Sequence, residues 1–232
     1  MTVSLALLPG LLNDASLWRH QVAALEGRAA CFVPDFTTQE SVGAMAETAL
    51  SAMPPRFALA GLSMGGYVAF EILRRAPERI VRLALLDTRA GPDSAEQTAR
   101  RRGLIQLARK GRFQGVTRQL LPMLVAEAHL ANEALVEEVM AMAGRVGREA
   151  FVRQQTAIMG RPDSRPMLAH ITCPTLVLCG RQDQLTPPDA HMEMAAGIRD
   201  ARLIVVEDCG HLSPLEQPEA VTAALTEWLE SE

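Results

Sequence analysis

Short apolar runs alternate with amphipathic segments along most of this chain. Six runs rich in Leu, Val, Ile or Ala predict buried strands at residues 3–8, 29–33, 57–60, 80–86, 175–179 and 203–206. Between them, apolar positions at helical spacing predict helices near residues 16–25, 41–53, 65–75, 188–196 and 218–229. This alternation predicts an α/β fold, in which a mostly parallel sheet carries helices on both faces.

The middle of the chain has a different pattern. From residue 88 to 166 there is no strand-like run, and apolar residues recur at helical spacing around residues 104–107, 116–121, 135–142 and 151–158. A crossover between two strands needs far fewer residues. We therefore predict an α/β core made of residues 1–87 and 167–232, with residues 88–166 inserted as an all-helical cap. Helices packed on one edge of the sheet are the alternative.

Composition narrows the class of protein. The 232 residues suit a single domain, 48% of them are apolar, and the net charge of −4 argues against nucleic acid as a partner. No apolar run approaches the roughly 18 residues that span a membrane, and the first eight residues lack the basic start of a signal peptide. Four scattered cysteines indicate reduced thiols. We expect a cytoplasmic protein with no metal, no cofactor and no membrane contact.

The first chemical motif is Gly61-Leu62-Ser63-Met64-Gly65. It fits the G-x-S-x-G pattern, which presents a serine on a tight turn between a strand and a helix. A predicted strand precedes the motif and a predicted helix follows it, as this turn requires. Ser63 is therefore the candidate nucleophile, and a glycine-rich turn with an incidental serine is the alternative.

A serine hydroxyl needs a general base, and the chain has five histidines. His20 and His191 fall within helical patterns, His129 lies in the predicted cap, and His170 precedes a strand. Only His211 follows a predicted strand, in a loop at the edge of the sheet where the strands end. His211 is the candidate base.

Two acids are candidates for orienting His211. Asp183 follows the predicted strand at residues 175–179, and Asp87 follows the strand at residues 80–86. Either gives the chain order serine, acid, histidine. We favour Asp183, although an aspartate in such a loop also serves as a turn former.

An acyl-transfer reaction also needs donors for the oxyanion. The backbone N–H of Met64, the residue after the nucleophile, is the first candidate. The second comes from the loop after the first strand, which reads Pro9-Gly10-Leu11-Leu12, so the N–H of Leu11 is expected there.

These motifs resemble those of the α/β-hydrolase superfamily from residue 3 to about residue 229. The elbow around Ser63, the loop at residues 180–187, Cys209-Gly210-His211 and Leu215-Glu216-Gln217-Pro218 are all typical of it. The chain is most similar to small, capped, cofactor-free bacterial members: carboxylesterases, enol-lactonases, pimeloyl-ACP methyl ester esterase and a menaquinone-pathway synthase. Two features depart from the family: Pro9 stands where histidine is usual, and the first antiparallel strands are expected to be missing.

The resemblance and the residues together predict a serine hydrolase for a small carboxylic ester, thioester or lactone. Ser63 would form an acyl-enzyme, His211 would transfer protons, and Asp183 would orient His211. Three alternatives stay open: another chemistry on the same fold (a synthase-like lyase or a cofactor-free perhydrolase), a non-catalytic small-molecule receptor, and a scaffold acting through the cap.

The start of the predicted cap is strongly basic. Between residues 89 and 118 it has eight cationic residues and only two acidic ones: Arg89, Arg100, Arg101, Arg102, Arg109, Lys110, Arg112 and Arg118 against Asp93 and Glu96. This face would attract a carboxylate-bearing ester or an acidic carrier protein. A solvated helix face is the alternative.

Overall fold

The computed structural model describes residues 2–231, and a six-stranded sheet forms its centre. The strands are β1 (Val3–Leu8), β2 (Ala29–Phe32), β3 (Phe57–Leu62), β4 (Ile80–Leu86), β5 (Thr175–Gly180) and β6 (Arg202–Val206). Their order is β2-β1-β3-β4-β5-β6, and all five pairings are parallel. The six predicted strands are confirmed, with ends that differ by one or two residues. Met1 and Glu232, at the limits of the predicted core, lie outside the described residues.

Eight α-helices occur in the described part of the chain: α1 (Arg19–Ala24), α2 (Val42–Ala52), α3 (Met64–Arg75), α4 (Ala95–Arg109), α5 (Glu133–Met159), α6 (Pro188–Gly197), α7 (Ser213–Glu216) and α8 (Pro218–Glu230). Local sequence explains where several begin. The Ser41 side chain accepts the Ala44 N–H at the start of α2, and Ser94 and Gln97 form a reciprocal cap at the start of α4.

Side chains alternate between the two faces of the sheet along each strand, so apolar strands present apolar side chains on both faces. Helices cover both faces. On one face, Leu59 and Val177 pack with α2, α3 and α6 in a cluster that includes Met45 and Met194. On the other face, Leu5 and Leu7 pack with α8 and with residues that flank α1, in a cluster that includes Trp18 and Trp228. The sheet is therefore buried on both sides, which matches its continuous apolar strands.

The segment between β4 and β5, residues 87–174, contains α4, α5 and short 3₁₀ helices but no strand. Helix α4 packs along α5, and α5 bends at Gly147, whose φ is 79°. The prediction of helix at residues 116–121 is wrong: this stretch forms turns that lead into a 3₁₀ helix at Leu121–Met123. Gly111 and Gly115 adopt positive φ here, and Pro122 supplies no N–H for a continuous helix. Within residues 2–231, no helix is both long enough and apolar enough to cross a membrane.

Candidate active site

Ser63 lies on a strained turn between β3 and α3. Its φ is 52° and its ψ is −112°, a backbone conformation that is uncommon for residues other than glycine. Hydrogen bonds hold the turn in place: the Ser63 N–H donates to the Leu86 carbonyl at 3.0 Å, and the Thr88 hydroxyl donates to the Ser63 carbonyl at 2.8 Å. This is the geometry that the G-x-S-x-G pattern predicts.

Loops at the carboxyl ends of three strands bring Ser63, His211 and Asp183 together. The His211 Nε2 lies 2.9 Å from the Ser63 Oγ, and the His211 Nδ1 lies 2.8 Å from the Asp183 Oδ2. His211 and Asp183 are only 4% and 3% exposed, so water has little access to the bond between them. The arrangement can transfer a proton from the serine hydroxyl to the imidazole while a carboxylate orients the ring.

The surroundings of Asp183 favour its charged form. Its Oδ1 accepts the N–H groups of Leu185 and Thr186, and its Oδ2 accepts the Thr186 hydroxyl at 2.6 Å. Burial would raise the pKa of Asp183, but the charge and hydrogen bond of His211, with the bonds from Thr186, hold it below the usual value. Asp183 is thus a carboxylate that can stabilise a charged imidazole.

The pKa of His211 is shifted in the opposite direction to that of Asp183. Burial would lower the pKa of His211, but the charge and hydrogen bond of Asp183 outweigh burial, and Asp87 and Glu216 add to the effect. The pKa of His211 is therefore raised above that of an ordinary histidine. A raised pKa makes the imidazole a stronger base for the serine hydroxyl.

Asp87, the other acid considered from the sequence, forms its hydrogen bonds with groups other than the His211 imidazole. Its Oδ1 accepts the Gly180 N–H at 3.1 Å, and its Oδ2 accepts the N–H and the hydroxyl of Ser213 at 3.2 and 2.5 Å. Complete burial and the nearby charge of Asp183 raise the pKa of Asp87 well above the usual value. Asp87 therefore ties the loop after His211 to β5, while Asp183 contacts the imidazole.

Glu216 holds the loop that carries His211, a contact that sequence reasoning missed. Its Oε2 accepts the N–H groups of Ala126 and Gly210 at 2.7 and 2.8 Å, and its Oε1 accepts the Leu212 N–H at 2.9 Å. The motif at residues 215–218 includes Glu216, but nothing in the motif indicates which amides it binds.

The loop after β1 brings Leu11 beside the nucleophile. Leu12 has a φ of 60° and donates its N–H to the Gln154 side chain at 3.0 Å, while Gln154 donates to the Phe36 carbonyl at 3.1 Å. Within residues 2–231, the N–H groups of Leu11 and Met64 donate no hydrogen bond to another protein group. Both amides are therefore available to an oxyanion. Sequence reasoning missed Gln154, which fixes this loop from α5.

Two of the other histidines, His191 and His129, have structural contacts. His191 is fully buried and its Nε2 accepts the Thr88 N–H at 2.9 Å. Burial lowers the pKa of His191 to about 4, so it is neutral near pH 7. The His129 Nε2 lies 2.8 Å from the Asp208 carbonyl oxygen. Among residues 2–231, no group of three or more His, Cys, Asp or Glu side chains is placed to hold a metal ion.

A cavity of about 480 Å³ lies over Ser63 and His211. Apolar side chains from α5 and from the β1 and β5 loops are part of its lining: Leu11, Val139, Phe151, Ile158 and Leu185. The predicted cap contains four methionines: Met123, Met140, Met142 and Met159. Flexible methionine side chains suit an adaptable pocket, although filling the core is their commoner role. Of these four, only Met123 lines the cavity, and Met142 is fully buried in the core.

The sequence model of the alpha/beta hydrolase family matches residues 5–224. This chain belongs to that family. It is also similar to a thermophilic esterase from Thermogutta terrifontis whose structure holds malate, with 32% identity, a TM-score of 0.91, and coverage of 99% of this chain and 90% of the esterase. The enol-lactonase of Burkholderia xenovorans is 25% identical, with a TM-score of 0.87 and coverage of 99% and 92%. The resemblance noted from the motifs is confirmed: the chain belongs to the alpha/beta hydrolase family and is similar to an esterase and an enol-lactonase of this fold.

Two further hydrolases match part of this chain. The 2-hydroxy-6-oxononadienedioate/2-hydroxy-6-oxononatrienedioate hydrolase of Klebsiella pneumoniae is 28% identical over 177 residues, and that of Escherichia coli K12 is 29% identical over the same length. The match covers 74% of this chain and 61% of each relative. The chain therefore matches less than two thirds of their length.

Proposed function

We propose that this protein is a serine hydrolase that cleaves a small carboxylic ester, thioester or lactone through an acyl-enzyme on Ser63. The observation that carries this proposal is the chain of contacts from the Ser63 Oγ to the His211 Nε2 (2.9 Å) and from the His211 Nδ1 to Asp183 (2.8 Å). The contacts lie at the floor of a cavity whose volume, about 480 Å³, suits a small molecule.

In the first half-reaction, His211 takes the Ser63 proton as the Oγ attacks the carbonyl carbon of the substrate. The negative charge that develops on the carbonyl oxygen is bound by the N–H groups of Leu11 and Met64. Asp183 stabilises the imidazolium, which then protonates the leaving alcohol, thiol or ring oxygen. The acyl-enzyme remains.

In the second half-reaction, His211 removes a proton from water, and the hydroxide attacks the acyl carbon. Collapse of this second tetrahedral intermediate releases the acid, and His211 returns its proton to the Ser63 Oγ. Residues 88–166 act in this proposal as a cap that limits water and selects the substrate.

The experiment is covalent labelling with a fluorophosphonate, followed by intact-mass analysis and by assays on p-nitrophenyl acetate and butyrate. We expect one label per chain in the wild type and in Ser51→Ala, whose serine is exposed on α2. Ser63→Ala should take no label and lose roughly 10³-fold or more in turnover, as expected when a triad member is lost. A label that persists on Ser63→Ala would overturn the assignment.

Product analysis separates this proposal from the other chemistries considered from the sequence. A hydrolase releases one acid and one alcohol per ester without added peroxide, whereas a perhydrolase depends on peroxide and a receptor binds without turnover. The acidic carrier protein and the cytoplasmic location stay predictions.

A further inference from the structure

The cavity over Ser63 has an excess of positive charge on its walls. Four arginines line it, and Asp93 is the single carboxylate on its lining within residues 2–231. The arginines are Arg89, Arg100, Arg101 and Arg112. The eight basic residues noted in the sequence are therefore divided, because these four border the cavity while Arg102, Arg109, Lys110 and Arg118 do not.

Arg101 is the arginine held most firmly. Its Nε donates to the Asp93 Oδ2 at 2.6 Å, and its Nη1 donates to the Gln155 Oε1 at 2.7 Å. Its side chain remains 22% exposed, and within the described residues its Nη2 donates to no other group. Because two bonds fix the guanidinium plane, the remaining N–H donors are oriented before any ligand arrives.

Asp93 is shared by Arg101 and Arg161, so its single negative charge cannot neutralise both arginines. The Arg161 Nη2 donates to the Asp93 Oδ1 at 2.9 Å, and the side chains of Arg161 and Asp93 are only 3% and 5% exposed. Arg161 also lies over the ring of Tyr67, another lining residue, at 4.1 Å from the ring centroid. Two guanidinium groups therefore share one carboxylate, which leaves one positive charge uncompensated at this wall.

The rim of the cavity is also positively charged. Arg100 and Arg112 are exposed, and neither pairs with a carboxylate in the described part of the chain. Leu104 and Leu107 lie between them in the sequence and are 38% and 45% exposed. An anionic molecule with an apolar body is attracted to such a rim before it reaches the interior.

We propose that Arg101 binds a carboxylate of the substrate, so that the preferred substrate is an ester or lactone with a second, ionised carboxyl group. Arginine suits this role because its planar donors match a carboxylate. The inference rests on the proposed function for the cleaved bond, but the carboxylate site itself does not depend on catalysis. Arg101 is then a specificity-determining residue, and the apolar part of the cavity lining holds the carbon chain.

The test compares pairs of methyl esters that differ only at the far end. Monomethyl succinate, glutarate and adipate end in a carboxylate, and methyl butanoate, pentanoate and hexanoate end in a methyl group on the same chain. Methanol release gives kcat/KM for each ester. We expect the wild type to prefer the charged ester for at least one chain length.

Arg101→Gln is expected to lower this preference by roughly tenfold or more, since a hydrogen bond to a charged group is lost. Asp93 keeps Arg161 in this variant, so no buried carboxylate is left unpaired and the protein should fold. Arg102→Gln is the matched control, because Arg102 is the next residue on α4, is exposed and lies outside the cavity. The control should keep the wild-type preference. Arg101→Lys, which keeps the charge without the planar fork, should be intermediate and serves if Arg101→Gln does not fold.

A second measurement separates the two proposals. Calorimetry on Ser63→Ala should detect adipate or glutarate binding, at least tenfold weaker in Ser63→Ala/Arg101→Gln. Binding through Arg101 without ester cleavage by the wild type would refute the serine hydrolase and leave the carboxylate site standing. Ester cleavage that depends on Ser63 but shows the same preference in Arg101→Gln as in the wild type would refute the carboxylate site alone. So would a wild type that prefers the methyl-ended ester at every length.

Discussion

His211 donates its backbone N–H to the carbonyl of Leu124 at 2.9 Å, so the proposed general base is bonded to the helical segment inserted between β4 and β5. The residue before His211 also packs tightly against this segment. A Cβ atom at Gly210 would lie only 2.7 Å from the Ala126 nitrogen, and that nitrogen donates to Glu216. The position of the imidazole therefore depends on residues 124–126 as well as on the core.

Glu216 is predicted to be essential for this junction. Glu216→Gln replaces one acceptor oxygen by an amide that faces N–H donors, so at least one of its three hydrogen bonds is lost. We expect the free energy of unfolding to fall by about 1–3 kcal/mol. kcat/KM should also fall, because the His211 loop loses its support. Urea denaturation and ester assays measure the two effects. Glu219→Gln, at an exposed position on α8, is the control, and equal behaviour of the two variants would contradict the prediction.

Asp183 and Asp87 are predicted to differ sharply when neutralised. Asp183→Asn removes the carboxylate that contacts the His211 Nδ1 and favours the wrong tautomer, so kcat should fall by up to about 10⁴-fold. Asp87→Asn keeps an acceptor for the Gly180 N–H and should cost much less. Steady-state kinetics on folded variants test the ranking, with Asp189→Asn, an exposed site on α6, as control. The reverse ranking would assign the acid to the loop after β4.

The raised pKa of His211 predicts a pH dependence of activity. The base works only when neutral, so kcat/KM should be lost as pH falls through a pKa above the usual value of about 6.5. Because Asp183 raises this pKa, Asp183→Asn should lower it. The pH profile of the wild type and an NMR titration of His211 in both proteins measure this. An unchanged His211 pKa in Asp183→Asn would show that the contact has no electrostatic effect.

The sheet and the three contacting side chains follow from local sequence. Six apolar runs fix the strands, and parallel strands place their following loops at one edge, where Ser63, Asp183 and His211 meet. The sequence favoured Asp183 over Asp87 but did not settle the choice, because both follow strands at that edge. It depends on loop geometry, since the turn at Asp183 aims its Oδ2 at His211 and Asp87 is occupied by Ser213.

Long-range polar contacts could not be predicted for a different reason. Gln154 and Gln155 are adjacent residues within a helical pattern, yet one holds Leu12 and the other holds Arg101. A hydrophobic pattern identifies which helix face is buried, but it does not identify hydrogen-bond partners that lie 142 or 54 residues away in the sequence. The basic residues around residue 100 show the same limit, because their division between cavity and solvent depends on how α4 packs on α5.

Alanine substitutions at Gly65 and at Gly103 are predicted to change the free energy of unfolding in opposite directions. A Cβ atom at Gly65 would lie 2.2 Å from the Leu8 carbonyl oxygen, whereas a Cβ atom at Gly103, within α4, meets nothing within 4 Å. Gly65→Ala should therefore lower the free energy of unfolding by about 1–3 kcal/mol, because β1 and α3 must move apart. Gly103→Ala should raise it by roughly 0.5–1 kcal/mol, since alanine restricts the unfolded chain and favours the helix. Urea denaturation of both variants gives the two signs, and ester assays should show loss of activity only for Gly65→Ala, whose turn carries Ser63. A Gly65→Ala protein as stable as Gly103→Ala would mean that β1 and α3 do not touch as closely as the structure describes.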